Sequence, residues 1–147
     1  MLLKHVTITL LASVLLIAHP SWANEAFELR AERMTILGKE TKSMAAMVKG
    51  RTEFDADDFL YGALHMHMAM DGLLQLFPAG SHGGDSAAKA KIWDNWEDFT
   101  AQASATADAI AVLAIAADKG NEQAIRQAFG KLAKSCSSCH RKYRNKH

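Results

Sequence analysis

The sequence predicts an all-α fold, an antiparallel up-down-up-down four-helix bundle, on three observations. Four segments place apolar residues at helical spacing. Capping and breaking residues separate those segments. No run alternates with the period of two that a half-buried strand requires. Short connections between consecutive amphipathic helices favour antiparallel neighbours, which sets the topology.

The bundle is not expected to begin at the first residue. Residues 1–4 supply a short basic start through Lys4, and residues 6–18 follow as an uncharged apolar run. Pro20 breaks the run, and Ser21-Trp22-Ala23 sets small residues where a signal peptidase reads them. Residues 1–23 therefore read as a cleaved signal peptide, because the apolar core is too short to span a bilayer comfortably. Residues 24–147 remain as one domain bound for the periplasm, with no second apolar run to anchor it in a membrane. Cleavage removes only Lys4 from the 17 Lys and Arg, so sixteen cations balance sixteen carboxylates. No basic stripe interleaves with aromatics, which argues against nucleic acid as a partner.

The first helix spans about 25–49, with Phe27, Met34, Thr41 and Val48 at heptad spacing beside Arg30, Leu37 and Met44, and Gly50 as its C-terminal cap. The second begins after Asp55, an N-cap followed by Asp57 and Asp58 in the dipole-favoured first turn, and is stopped at Phe77-Pro78. Residues 79–85 are rich in Gly and polar residues and read as loop. The third helix starts within 86–91 and continues to about 118, burying Ile92, Trp96, Phe99, Ala103, Ala107, Ile110, Ala114 and Ala117. Gly120 ends it and Asn121 caps the fourth, whose inner face carries Ile125, Phe129, Leu132, Cys136, Cys139, His140 and Tyr143.

Two cysteines three residues apart in an exported chain suggest a disulfide first, but on a helix that bond would close a very small loop. His140 decides otherwise. Cys136-Ser137-Ser138-Cys139-His140 is C-x-x-C-H, the attachment signature of c-type haem. On a helix, positions i, i+3 and i+4 share one face, so both thiols can meet the porphyrin edge while the imidazole turns to the iron. One haem c per chain is the expected cofactor, with thioethers at Cys136 and Cys139 and His140 as proximal ligand. A redox-active C-x-x-C would follow a strand, and a structural zinc site would need a second ligand pair. His65 and His67 do not supply one, since they point in different directions on a helix.

Cys136 to Arg144, CSSCHRKYR, resembles the C-terminal motif of the cytochrome c-prime family, the class II cytochromes c. The likeness extends through Ala128-Phe129-Gly130, the Ile92-Trp93, Trp96 and Phe99 run, Phe77-Pro78, and Val48-Lys49-Gly50, and so covers the mature chain. It implies a four-helix bundle with the haem near one end, often a homodimer packed through the first and second helices. It also implies a distal position on the first helix, and counting back from Val48-Lys49-Gly50 puts Met34 there. A thioether at that position would make the iron low-spin and Met/His-coordinated, which suits an electron carrier, and the low-spin branch of the family is the match. Arg30, one turn earlier, faces a haem propionate on this reading, and Arg144 lies near the haem edge.

The chain is thus expected to be a non-enzymatic, periplasmic electron carrier that meets redox partner proteins. The alternative is a five-coordinate haem protein binding nitric oxide or carbon monoxide. Rival distal ligands cluster on the second helix at His65, Met66, His67, Met68 and Met70, though most must face away from one another. A peroxidase reading lacks a distal His–Arg pair.

Overall fold

The computed structural model describes residues 20–83 and 85–146. Within them lie α1 (Pro20–Val48), α2 (Ala56–Met70), a 3-10 turn (Leu73–Leu76), a short α3 (Lys91–Asp94), α4 (Trp96–Asp118) and α5 (Glu122–Tyr143). The four long helices form the predicted antiparallel bundle: α1 packs on α2, α2 on α4 and α4 on α5, while α1 and α5 touch only sparsely. The expected signal peptide, residues 1–23, lies outside the described residues as far as position 19, and residues 20–23 belong to the first turn of α1.

Local chemistry fixes the helix ends. The Asp55 side chain accepts from the backbone N–H groups of Asp57 and Asp58 and caps α2, and that of Asn121 accepts from Ala124 N–H and caps α5, as expected. Helix α1 closes at Gly50, whose φ of 65° is a left-handed conformation that glycine adopts without a Cβ clash.

Several expectations need correction. The second helix does not run to Leu76: Gly72, at φ 66°, ends it after Met70, and the chain continues as the 3-10 turn. The third begins at Lys91, at the late edge of its expected window, because residues 87–89 pair with the end of α5, but it is not continuous to residue 118. Ala88 bridges Arg144, Lys89 N–H donates to Tyr143 C=O, and Asn145 N–H donates to Ala87 C=O. Those bonds leave 86–90 as a strap, and Asn95 separates α3 from α4. Trp96 is 40% exposed rather than buried. The expectation of no further apolar run also fails in composition, since α4 is long and apolar enough to cross a membrane. Its Phe99, Ile110, Leu113 and Ala117 are nevertheless buried in the bundle.

The main core joins Met44, Met47, Phe59, Met66, Ile110, Leu113, Ile125, Phe129 and Leu132. A smaller cluster of Leu73, Phe77, Ile92, Phe99 and Tyr143 fills the end where the strap meets α5. The methionine-rich stretch of α2 divides accordingly. Met66 is fully buried, Met68 is 60% exposed, and Met70 packs against both clusters. Met66→Ala should therefore cost about 2–5 kcal/mol of stability, and Met68→Ala about 0.5 kcal/mol or less. Chemical denaturation of the two variants tests this.

Candidate haem-attachment site

Helix α5 presents Cys136, Cys139 and His140 on consecutive turns, all half-buried, and both cysteines are free thiols. Cys136 packs against the main core and Cys139 against the smaller cluster, so the motif spans the junction between the two. Burial pushes both thiols above the ordinary cysteine pKa. At Cys139 the charges of Cys136 and Asp98 add to that effect. Burial also lowers the His140 pKa, assisted by the Arg144 charge, which favours a neutral imidazole with a free ring-nitrogen lone pair. Two unpaired thiols beside a neutral imidazole, at i, i+3 and i+4, form a donor set that fits a c-type haem.

The α4–α5 interface holds this turn in place. Asp98 accepts hydrogen bonds from Tyr143 Oη at 2.5 Å and Lys142 Nζ at 2.8 Å. Gln102 Nε2 donates to the same carboxylate oxygen at 2.5 Å. Two turns further along α4, the Thr106 hydroxyl pairs with that of Ser135, the residue before Cys136. Tyr143 is buried and meets Phe99 edge-on, with ring centroids 5.2 Å apart. Sequence reasoning assigned Asp98 and Ser135 no part. The available signal was the Asp98–Gln102–Thr106 spacing of one turn, which puts three polar side chains on a helix whose buried face is otherwise apolar.

Arg30 is buried, which removes the possibility of a frayed, solvated end. Its guanidinium donates to Ser81 Oγ at 3.0 Å, Ser81 C=O at 2.8 Å and Ser86 Oγ at 3.3 Å, and stacks 4.8 Å from the Phe77 ring centroid. Burial lowers its pKa. Ser81 and Ser86 are themselves buried, and their loop setting gave no sign of this in sequence. Met34, one turn on, is 37% exposed. Arg144 is exposed and caps α5, donating its backbone N–H to His140 C=O. Among the described residues, no hydrogen bond or ion pair joins Arg30 or Met34 to Cys136, Cys139 or His140. Of the rival distal residues, His65 Nδ1 lies 2.9 Å from the Glu40 carboxylate, between α1 and α2, and His67 is exposed.

A family model described as Cytochrome C′ matches residues 25–144. The chain belongs to the cytochrome c-prime family. A cytochrome c′ of Halomonas halodenitrificans is 31% identical over 126 residues, covering 82% of this chain and 96% of that one. A solved cytochrome c prime from Shewanella frigidimarina superposes with a TM-score of 0.81 at 35% identity, over 84% of this chain and 97% of that one. The nitric oxide complex of a cytochrome c prime variant from Alcaligenes xylosoxidans gives a TM-score of 0.78 at 29% identity, over 85% and 97%.

As a cytochrome c prime, this protein carries covalently bound haem c, one per chain. The expectation of a low-spin, Met34/His140-coordinated electron carrier does not stand. Relatives named cytochrome c′ and a neighbour solved as a nitric oxide complex overturn it. A methionine at helical spacing on the first helix does not by itself establish ligation.

The Asp98 carboxyl is held near pKa 2, below its ordinary 3.8, chiefly by the Lys142 hydrogen bond and then by Tyr143. A depressed carboxylate pKa adds stability above the unfolded value, and that stability is lost as pH falls through the folded value. The thermal midpoint of wild type relative to Asp98→Asn should therefore be constant at neutral pH and shrink as pH drops from 3.8 toward 2. A difference that stays constant across that window would show the latch to be electrostatically inert.

Proposed function

We propose that this cytochrome c prime is an exported, periplasmic haem protein whose five-coordinate iron binds nitric oxide or carbon monoxide and catalyses no substrate reaction. The observation that carries this reading is the nitric oxide complex of a relative whose bundle superposes on 85% of this chain. A nitrosyl complex of another variant of that relative, at a TM-score of 0.78, supports it further. The basic and apolar segment of residues 1–23 supports export.

Cys136 and Cys139 would hold the haem through thioethers, and His140 would supply the proximal nitrogen. A haem bound there would supply an iron able to take a diatomic ligand. The chain's own residues set the rest. Burial lowers the His140 pKa and so favours the neutral imidazole that can coordinate. Arg30 is a buried cation on hydroxyl and carbonyl partners, and no carboxylate forms an ion pair with it among the described residues. That is the environment in which a propionate would be favourable. Arg144, next to the last turn of α5, would lie at the haem edge. Met34 would wall the distal side as an apolar side chain. A homodimer through α1 and α2 accords with the exposed Leu29, Tyr61, Leu64 and Met68 on those helices.

Stopped-flow binding to the ferrous holoprotein tests the reading. Carbon monoxide and nitric oxide should bind at one per haem, with rates that rise linearly with gas concentration and never level off at the dissociation rate of a protein ligand. Met34→Leu, nearly isosteric, should change the carbon monoxide rate by less than about threefold. A plateau in the wild type that Met34→Leu abolishes would contradict it. Cys136→Ala should still bind haem through one thioether, and mass spectrometry of the denatured protein should then find a reduced haem-bearing fraction.

A further inference from the structure

The histidine- and methionine-rich stretch of α2, His65-Met66-His67-Met68-Ala69-Met70, is a sequence feature that the haem site leaves unused. The fold sorts its donors. Met66 is fully buried and Met70 packs against both core clusters, so neither sulfur meets an incoming ion. His65, His67 and Met68 keep accessible surface. Helical residues one or two apart do not face each other, whereas residues three apart are neighbours, about 5–6 Å between Cβ atoms. His65 and Met68 are therefore the pair that converges, and His67 is left to one side.

Helix α1 holds both members of that pair. Glu40 is buried, and its carboxylate Oε1 lies 2.9 Å from His65 Nδ1. A Cβ at Gly62 would lie 3.3 Å from the other oxygen, Oε2, so glycine leaves the carboxylate its seat between the helices. Seven residues earlier on α1, Arg33 donates to the Met68 carbonyl at 2.6 Å. With Nδ1 engaged by a carboxylate, the neutral imidazole carries its proton there and its lone pair on Nε2. Nε2 makes no hydrogen bond among the described residues. Met68 is 60% exposed, which leaves a flexible, polarizable thioether with little to pack against.

An imidazole oriented by a carboxylate is the arrangement that metal-binding histidines use, and a thioether selects soft cations. Among the described residues no three His, Cys, Asp or Glu side chains gather to hold a metal ion, so a hard divalent cation lacks its ligand set. We propose that His65 Nε2 and Met68 Sδ bind one cuprous ion at the surface of α2, with Glu40 as the positioning residue behind the imidazole. Both bonds are dative, from the nitrogen and sulfur lone pairs to copper, and no electron is transferred. The site stands apart from the haem, and its occupancy does not depend on the gas-binding reading.

The test is anaerobic isothermal titration calorimetry of the ferrous holoprotein with tetrakis(acetonitrile)copper(I). In that state the haem thioethers leave no free thiol to compete, and the iron takes no electron from copper. Both donors come from one chain, so the titration uses dilute monomer, because Met68 also lies on the face proposed for a homodimer. One copper should bind per chain, and X-ray absorption at the copper edge should find one nitrogen and one sulfur neighbour. Met68→Leu and His65→Ala should each weaken binding at least about tenfold, and Glu40→Gln about tenfold. Met68 is exposed, so Met68→Leu still decides the matter if loss of the Glu40 pairing unfolds His65→Ala. The haem absorption spectrum of each variant should match wild type. His67→Ala, exposed on α2, should change the affinity less than about twofold. Wild type that takes up no copper would overturn the proposal. So would copper lost in His67→Ala but kept in Met68→Leu, or zinc held as tightly as cuprous ion by wild type and Met68→Leu alike.

Discussion

The rotation of α5 about its own axis is the constraint on which the rest of the structure depends. A helix turns 100° per residue, so a one-residue slip would carry Cys136, Cys139 and His140 to a different face. Two kinds of contact prevent that slip. Ile125, Phe129 and Leu132 are buried in the main core and set the inner face of the helix. Polar bonds from α4 then bracket the motif, Thr106 to Ser135 before it and Asp98 to Lys142 and Tyr143 after it. Apolar burial alone tolerates small rotations, because it is non-directional. The hydrogen bonds are directional and remove that freedom.

The strap of residues 86–90 extends the same logic to the first helix. Its backbone pairs with residues 143–145 at the end of α5, and Ser81 and Ser86 on either side of the loop bond the buried Arg30 of α1. Helices α1 and α5 touch each other sparsely, so their relative placement at this end is set largely through the strap. A buried guanidinium is costly unless its donors are satisfied, and here two hydroxyls and a carbonyl take them. One cation thereby ties α1 to the loop that secures α5.

Much of this was legible in the sequence, for reasons that differ by residue. Asp55 and Asn121 announce their helices through side chains that satisfy orphan N–H groups, a local effect that needs no tertiary knowledge. Cys136, Cys139 and His140 are legible because their chemistry demands one helical spacing. The break at Gly72 and the strap were not. Gly72 sits in an otherwise helical pattern, and residues 86–90 have adequate helix propensity, but backbone pairing with residues 143–145 takes their hydrogen bonds. Trp96 misled because periodicity assumes one continuous helix, and the interruption at Asn95 shifts its phase. Met34 misled in another way, since a position on a helix does not decide whether a sulfur coordinates iron.

Coordination of the ferrous iron is therefore the most direct measurement. Resonance Raman spectra of the reduced holoprotein should show high-spin, five-coordinate marker bands and an iron–histidine stretch, with His140 as the one protein ligand. Six-coordinate, low-spin markers with no iron–histidine stretch would contradict the account.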